Sequence, residues 1–166
     1  MASTLTLVDA AAPARDRFVW RFAHGAATAP GELGDPTTST PYLACVYDAS
    51  VRAQPVLDLL LPAGNTWACP RGDCWRTTAS GGFAYRAAGA TPDGIRTARL
   101  APGADGRTAL ALQGRGTYFA EAGAPTAPTL PLELPARVQL LRADGGCWQA
   151  TFSSSRANSA RELSAR

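Results

Sequence analysis

The stretch Pro41–Asp48, Pro-Tyr-Leu-Ala-Cys-Val-Tyr-Asp, has the alternating pattern of a β-strand. Its side chains fall on two sides, one with Tyr42, Ala44 and Val46 and the other with Leu43, Cys45 and Tyr47. Both sides are apolar or aromatic. This pattern predicts a central strand that is covered on both faces.

Further short stretches with strand-like patterns flank this one on both sides. They are Thr4–Asp9, Arg17–Ala23, Pro55–Leu61, Cys74–Thr77, Gly82–Arg86, Ile95–Leu100, Arg107–Gln113, Arg137–Arg142 and Gly146–Phe152. Leu130–Leu134 is a further short extended candidate. Asp105-Gly106 and Ala143-Asp144-Gly145 each separate two such stretches, which predicts two hairpins.

The 13 prolines and 16 glycines interrupt the chain too often for long helices. We therefore predict an all-β protein with nine or ten short strands in an antiparallel sandwich of Greek-key, jelly-roll or immunoglobulin-like type. The long connections Gly25–Thr40 and Gly114–Pro135 are expected to cross between the sheets. With 166 residues, the chain is expected to form one domain over 1–152, followed by a polar tail over 153–166 that frays or forms a loose helical turn.

The charge pattern argues against nucleic-acid binding. The net charge is only +3, and the 16 basic residues, all of them arginine, are scattered along the chain. A chain rich in Ala, Gly, Pro and Arg without lysine is typical of a GC-rich bacterial genome. No apolar run approaches the ~20 residues of a membrane-spanning helix, and the N-terminal residues lack the pattern of a signal peptide.

The four cysteines favour disulfides and therefore an extracellular or periplasmic location, although this chain shows no signal peptide. Cys69 and Cys74 bracket a Pro-Arg-Gly-Asp turn that can bring them together, which leaves Cys45 to pair with Cys147. Two alternatives remain open: four unpaired buried thiols, or a zinc site, for which only one suitably spaced pair exists.

Enzyme chemistry has little support in the sequence. His24 is the only histidine, no Gly-x-Ser-x-Gly motif occurs, and no pair of carboxylates stands out. We predict no catalytic residue, no metal and no cofactor. A hydrolase that uses His24 is the weakest of the alternatives.

A ligand site is predicted near the Cys69–Cys74 loop. Aromatic rings at strand ends can form a platform on which sugars stack, and Arg71 and Asp73 lie at the tip of the loop between the two cysteines. The candidate ligand-binding residues are Trp67, Arg71, Asp73, Trp75, Tyr85 and Tyr118. The Arg-Gly-Asp tripeptide resembles an integrin-binding loop, but chance explains it better in a chain so rich in these residues.

Taken together, several motifs resemble an uncharacterised family of secreted bacterial β-sandwich domains. The motifs are Arg17–Phe22, Gly34-Asp35-Pro36, the Cys-Val-Tyr-Asp of Cys45–Asp48, Cys74-Trp75, Pro92-Asp93-Gly94-Ile95, Val138-Gln139-Leu140 and Cys147-Trp148. The resemblance implies export and a disulfide-bearing β-fold, and it transfers no activity.

These observations predict a non-catalytic extracellular module with a binding or structural role, such as an accessory domain of an exported bacterial protein. The alternative is a carbohydrate-binding module that uses the aromatics near Cys69–Cys74. The expected partners are an extracellular polysaccharide or a cell-surface protein, with no nucleic acid and no membrane span.

Overall fold

The computed structural model describes residues 3–50, 54–64, 74–87, 93–116 and 130–166. Twelve strands lie in this part of the chain. In chain order they are β1 (Thr4–Val8), β2 (Arg17–Gly25), β3 (Tyr42–Tyr47), β4 (Leu57–Leu61), β5 (Trp75–Thr77), β6 (Phe83–Arg86), β7 (Ile95–Ala101), β8 (Thr108–Arg115), β9 (Ala136–Arg142), β10 (Cys147–Phe152), β11 (Ser155–Ser159) and β12 (Glu162–Ala165). Two 3-10 turns, Pro13–Arg15 and Pro30–Leu33, are the only helical elements of the described residues.

The strands form two antiparallel sheets. The larger has eight strands in the order β11-β12-β1-β2-β8-β7-β6-β5, and the smaller has four in the order β10-β9-β3-β4. This confirms the all-β, antiparallel part of the prediction and raises the strand number from nine or ten to twelve. Leu130–Leu134 lies outside the strands.

Both expected hairpins are present, joining β7 to β8 and β9 to β10. Gly106 and Gly145 lie in these turns with φ values of 73° and 110°. This is the left-handed region that glycine adopts at low cost. The two glycines therefore explain why Asp-Gly marks each turn in the sequence.

Alternate residues from both sheets form one hydrophobic core. The larger sheet contributes Leu5, Phe18, Trp20, Leu112 and Leu163, among others, and the smaller contributes Tyr42, Val46, Leu59, Val138 and Leu140, each at most 1% exposed. Four connections carry the chain between the sheets, from β2 to β3, from β4 to β5, from β8 to β9 and from β10 to β11. The crossings from β2 to β3 and from β8 to β9 were expected.

The prediction of an irregular tail over 153–166 is wrong. These residues form β11 and β12, and β12 pairs with β1 in antiparallel register. Leu163 and Ala165 are buried on the core side, whereas Glu162 is exposed. The polar composition of the segment reflects the outward side of two strands near a sheet edge.

The prediction of a Cys45–Cys147 disulfide is also wrong. Cys45 lies on β3 and Cys147 on β10, with β9 between them, and both thiols are free. Adjacent strands are about 4.8 Å apart, so these Cα atoms are separated by roughly 10 Å or more, whereas a disulfide requires about 4.4–6.8 Å. Cys74 is disulfide-bonded, but Cys69, its predicted partner, lies outside the described residues.

We expect Leu163→Ala to lower the free energy of unfolding by about 2–5 kcal/mol, because it removes a buried leucine side chain and leaves a cavity. Glu162→Ala, at the exposed neighbouring position, should change this free energy by less than about 0.5 kcal/mol. Urea denaturation of both variants measures the difference. If Leu163→Ala is as stable as the wild type, the docking of β12 on the core is contradicted.

Candidate functional site

The aromatic residues proposed from the sequence as a sugar platform lie partly in the core. Trp75 and Tyr85 are each 2% exposed, and their ring centroids are 4.9 Å apart. The Trp75 indole donates a hydrogen bond to the Pro62 carbonyl at 2.8 Å. A stacking platform made of these two rings is therefore wrong, because neither offers a face to a ligand. The other four proposed ligand residues, Trp67, Arg71, Asp73 and Tyr118, lie outside the described residues.

The outward face of the smaller sheet includes the second side of β3, which carries Leu43, Cys45 and Tyr47. The strand register arranges it in three rows: Leu60, Leu43, Leu141 and Cys147; then Asp58, Cys45, Gln139 and Gln149; then Tyr47, Arg137 and Thr151. The expectation that β3 is covered on both faces holds only in part. Cys45 is buried, whereas Leu43 and Tyr47 are half-buried and Leu60 is 37% exposed.

Tyr47 and Arg137 are directly opposite each other on β3 and β9. The guanidinium carbon of Arg137 lies 4.6 Å from the centroid of the Tyr47 ring, within the range of a cation–π contact. On the same strand, Cys45 lies two residues before Tyr47 and points to the same outward side of the sheet. Tyr47 thus supports a charged group next to the buried Cys45.

A cavity of about 350 Å³ opens beside this pair, at the end of the smaller sheet. Its walls are Tyr47, Asp48, Ala49, Pro135, Arg137 and Thr151. The volume is at the small end of the range of about 300–1,000 Å³ found for ligand sites. Strand β3 ends at this cavity and β9 begins near it, so the sheet itself fixes the spacing of the lining residues.

Asp48 holds one wall of the cavity in place. Its Oδ1 accepts hydrogen bonds from the backbone and the hydroxyl of Ser50, at 3.0 and 2.5 Å, and its Oδ2 accepts one from the backbone nitrogen of Glu133 at 3.2 Å. The Ala49 nitrogen also donates to the Glu133 carbonyl at 2.9 Å. These bonds fasten the connection after β3 to the segment before β9.

Arg137 and Arg142, at the two ends of β9, have different electrostatic surroundings. Arg142 forms an ion pair with Asp144 and donates to the Glu32 carbonyl. In the described part of the chain, Arg137 has no ion-pair partner, and its buried Nε has no hydrogen-bond partner. The cavity therefore contains a cation that no carboxylate of the described ranges neutralises within ion-pair distance.

A second depression, of about 560 Å³, lies around Arg142. There the Trp148 indole donates to the Thr28 hydroxyl at 3.1 Å, and Phe22 and Glu32 complete part of the wall. Because its arginine is already neutralised, we regard the cavity at Arg137 as the stronger site.

Burial raises the pKa of both free thiols. For Cys147, which is exposed as a residue, desolvation of the thiol outweighs the opposing effect of the Arg137 charge. For Cys45, desolvation outweighs the hydrogen bond from Tyr47. Both groups are therefore predominantly thiols at neutral pH, the less nucleophilic form of cysteine.

The histidine that was weighed as a catalytic residue is not part of the cavity. His24, on β2, has its Nδ1 3.1 Å from the Gly106 carbonyl and is not among the cavity residues. Within the described ranges, no cluster of three or more His, Cys, Asp or Glu side chains is arranged to hold a metal ion. The helical elements described are too short to cross a membrane.

Comparisons of the chain with protein-family models, with curated proteins and with solved structures find no match. The resemblance to secreted bacterial β-sandwich domains, which rests on sequence motifs, therefore stays a prediction.

Sequence reasoning missed Asp48, Arg137 and Thr151 as possible ligand residues. The alternating pattern of Arg137–Arg142 did show that Arg137 and Gln139 share one side of a strand. No local sequence pattern indicates which strand lies beside β9, or in which register the two strands pair. Only the pairing of Tyr47 with Arg137 brings an aromatic ring beneath the guanidinium.

We expect iodoacetamide to label Cys147 in the native protein at pH 8, and to label Cys45 only after unfolding in denaturant without reductant. Labelling of Cys147 should be slower than that of glutathione and should accelerate as the pH rises, because its raised pKa leaves less thiolate at pH 8. Intact mass and peptide mapping measure both reactions.

Cys147→Ser is the control and should lose the native-state reaction. If Cys45 and Cys147 both stay unlabelled in denaturant until a reductant is added, they form a disulfide and the structural assignment is contradicted.

Proposed function

We propose that the protein is a non-catalytic binding module of an exported bacterial protein, and that it binds an extracellular polysaccharide in the cavity beside Tyr47 and Arg137. The observation that carries this proposal is the cavity, lined by an aromatic ring, an arginine without an ion-pair partner and a hydroxyl. Sugar ligands need such a mixture of apolar surface and directed polar groups.

The proposal includes a fold and a location. Two antiparallel sheets around one core are consistent with a β-sandwich, and the disulfide bond of Cys74 is consistent with an oxidising compartment. The family resemblance found in the sequence supports the same location. A disulfide between Cys69 and Cys74 would constrain the loop between them.

The lining residues favour binding over catalysis. Those that the structure describes include no imidazole and no thiol, and the Asp48 carboxylate already accepts three hydrogen bonds. Those three bonds occupy most of the lone pairs with which the carboxylate could accept a proton from a substrate. The hydroxyl of Thr151 has no base among the residues that line the cavity with it.

The proposed site differs from the one inferred from the sequence. The sequence placed a carbohydrate site on the aromatics near Cys69–Cys74, where Trp75 and Tyr85 prove to be core residues. Of the two partner classes expected, we favour the polysaccharide over a cell-surface protein. The reason is size, since a cavity of about 350 Å³ accommodates a sugar ring or two rather than a flat protein surface.

A depletion assay against a panel of bacterial and plant polysaccharides tests the proposal. We expect at least one polymer to bind the wild type, and Thr151→Trp to reduce its affinity at least tenfold, because the indole fills the cavity from an exposed position. Gln113→Trp, at an exposed position of β8 in the larger sheet, is the matched control and should bind like the wild type.

Two results would contradict the proposal. One is that no polysaccharide in the panel binds. The other is that both tryptophan variants lose affinity equally, which would show that the cavity is not where the polymer binds.

A further inference from the structure

The Tyr47 ring supports the Arg137 guanidinium, and no residue in the described part of the chain pairs with its charge. Its side chain is half-buried, and the Tyr47 ring lies 4.6 Å from the guanidinium carbon. It has no ion-pair partner among the described residues, and its Nε is both buried and without a hydrogen-bond partner. A buried N–H group without a partner costs free energy, roughly 1–3 kcal/mol. Because Nε is buried, a ligand in the cavity would pair with the terminal N–H groups of the guanidinium, and Arg137 lines that cavity.

The chemistry of a guanidinium that stacks on a ring narrows the choice of ligand. Stacking occupies the flat face of the group and leaves the N–H bonds at its edge, in the plane of the group. These donors match the two oxygens of a carboxylate, which they bind in parallel. Such charge-assisted bonds are stronger in a half-buried cavity than in open water, since the local dielectric constant is lower.

A second charged residue of the lining restricts the charge of the ligand. Asp48 lines the same cavity and is 8% exposed, so a ligand with negative charge throughout would be repelled by its carboxylate. Thr151, which is exposed, adds a hydroxyl that can donate or accept a hydrogen bond. A suitable ligand therefore has a carboxylate at one end and hydroxyl groups at the other.

We propose that the cavity selects the uronic acid units of an acidic polysaccharide. Arg137 binds the sugar carboxylate, and Thr151 contacts its hydroxyl groups. This inference rests on the proposed function and deepens it, because it names the class of sugar and the residue that distinguishes it from neutral sugars.

Isothermal titration calorimetry with oligogalacturonate, compared with a neutral galactan oligosaccharide of equal length, tests the inference. We expect the wild type to bind the acidic oligomer at least tenfold more tightly than the neutral one. Arg137→Gln should remove this preference, because the carboxylate loses its charged partner. Arg137→Lys should retain part of it, since the charge remains but the paired N–H donors are lost.

Arg99→Gln is the matched control. It removes the same charge from an exposed position of β7 in the larger sheet, and it should leave both affinities within twofold of the wild type. Thermal unfolding of each variant shows that the fold is retained. Raising the salt concentration should weaken the acidic oligomer more than the neutral one.

The outcomes separate this inference from the proposed function. If the neutral oligomer binds as tightly as the acidic one and Thr151→Trp abolishes both, the polysaccharide site stands and the acid selectivity is overturned. If Arg137→Gln and Arg99→Gln weaken the acidic oligomer equally, the effect is one of net charge and Arg137 is not the selective residue. If neither oligomer nor any polysaccharide binds, the proposed function falls together with the inference.

Discussion

The packing of the two sheets onto one shared core is the constraint on which the rest of the structure depends. Every strand of the smaller sheet gives its alternate side chains to that core, as with Leu59, Ala44, Leu140 and Trp148 across its middle row. Since side chains alternate strictly, this choice also fixes which residues face outward. A shift of one residue in β3 would exchange Tyr47 for Val46 on the outward face.

The outward face therefore follows from the core. Tyr47 meets Arg137 because Val46 and Val138 are paired in the adjacent, core-facing row. The Asp48 wall follows from the same register, since the connection after β3 is hydrogen-bonded to the segment before β9. The proposed acid-binding cavity needs no separate scaffold, because the strands that build the core also set the positions of its lining residues.

The cysteines show how much strand order matters. Cys45 and Cys147 both lie on the outward face, which agrees with their places in alternating stretches, but β9 separates their strands. A disulfide between the two would therefore need a different strand order. Instead, the Cys45 thiol is buried on a central strand, while Cys147 is exposed on an edge strand. Their raised pKa values argue against a role as activated nucleophiles.

The positions of ten strands and their two Asp-Gly hairpins could be predicted from the sequence, because alternation and Asp-Gly turns are local signals. Strands β11 and β12 could not, since their short polar stretches become strands only by pairing next to β1. The placement of Trp75 and Tyr85 in the core, the separation of Cys45 from Cys147 and the contact between Tyr47 and Arg137 were decided by the tertiary structure alone. Each depends on which strands are neighbours and in what register, and that is set by the packing of residues distant in the chain.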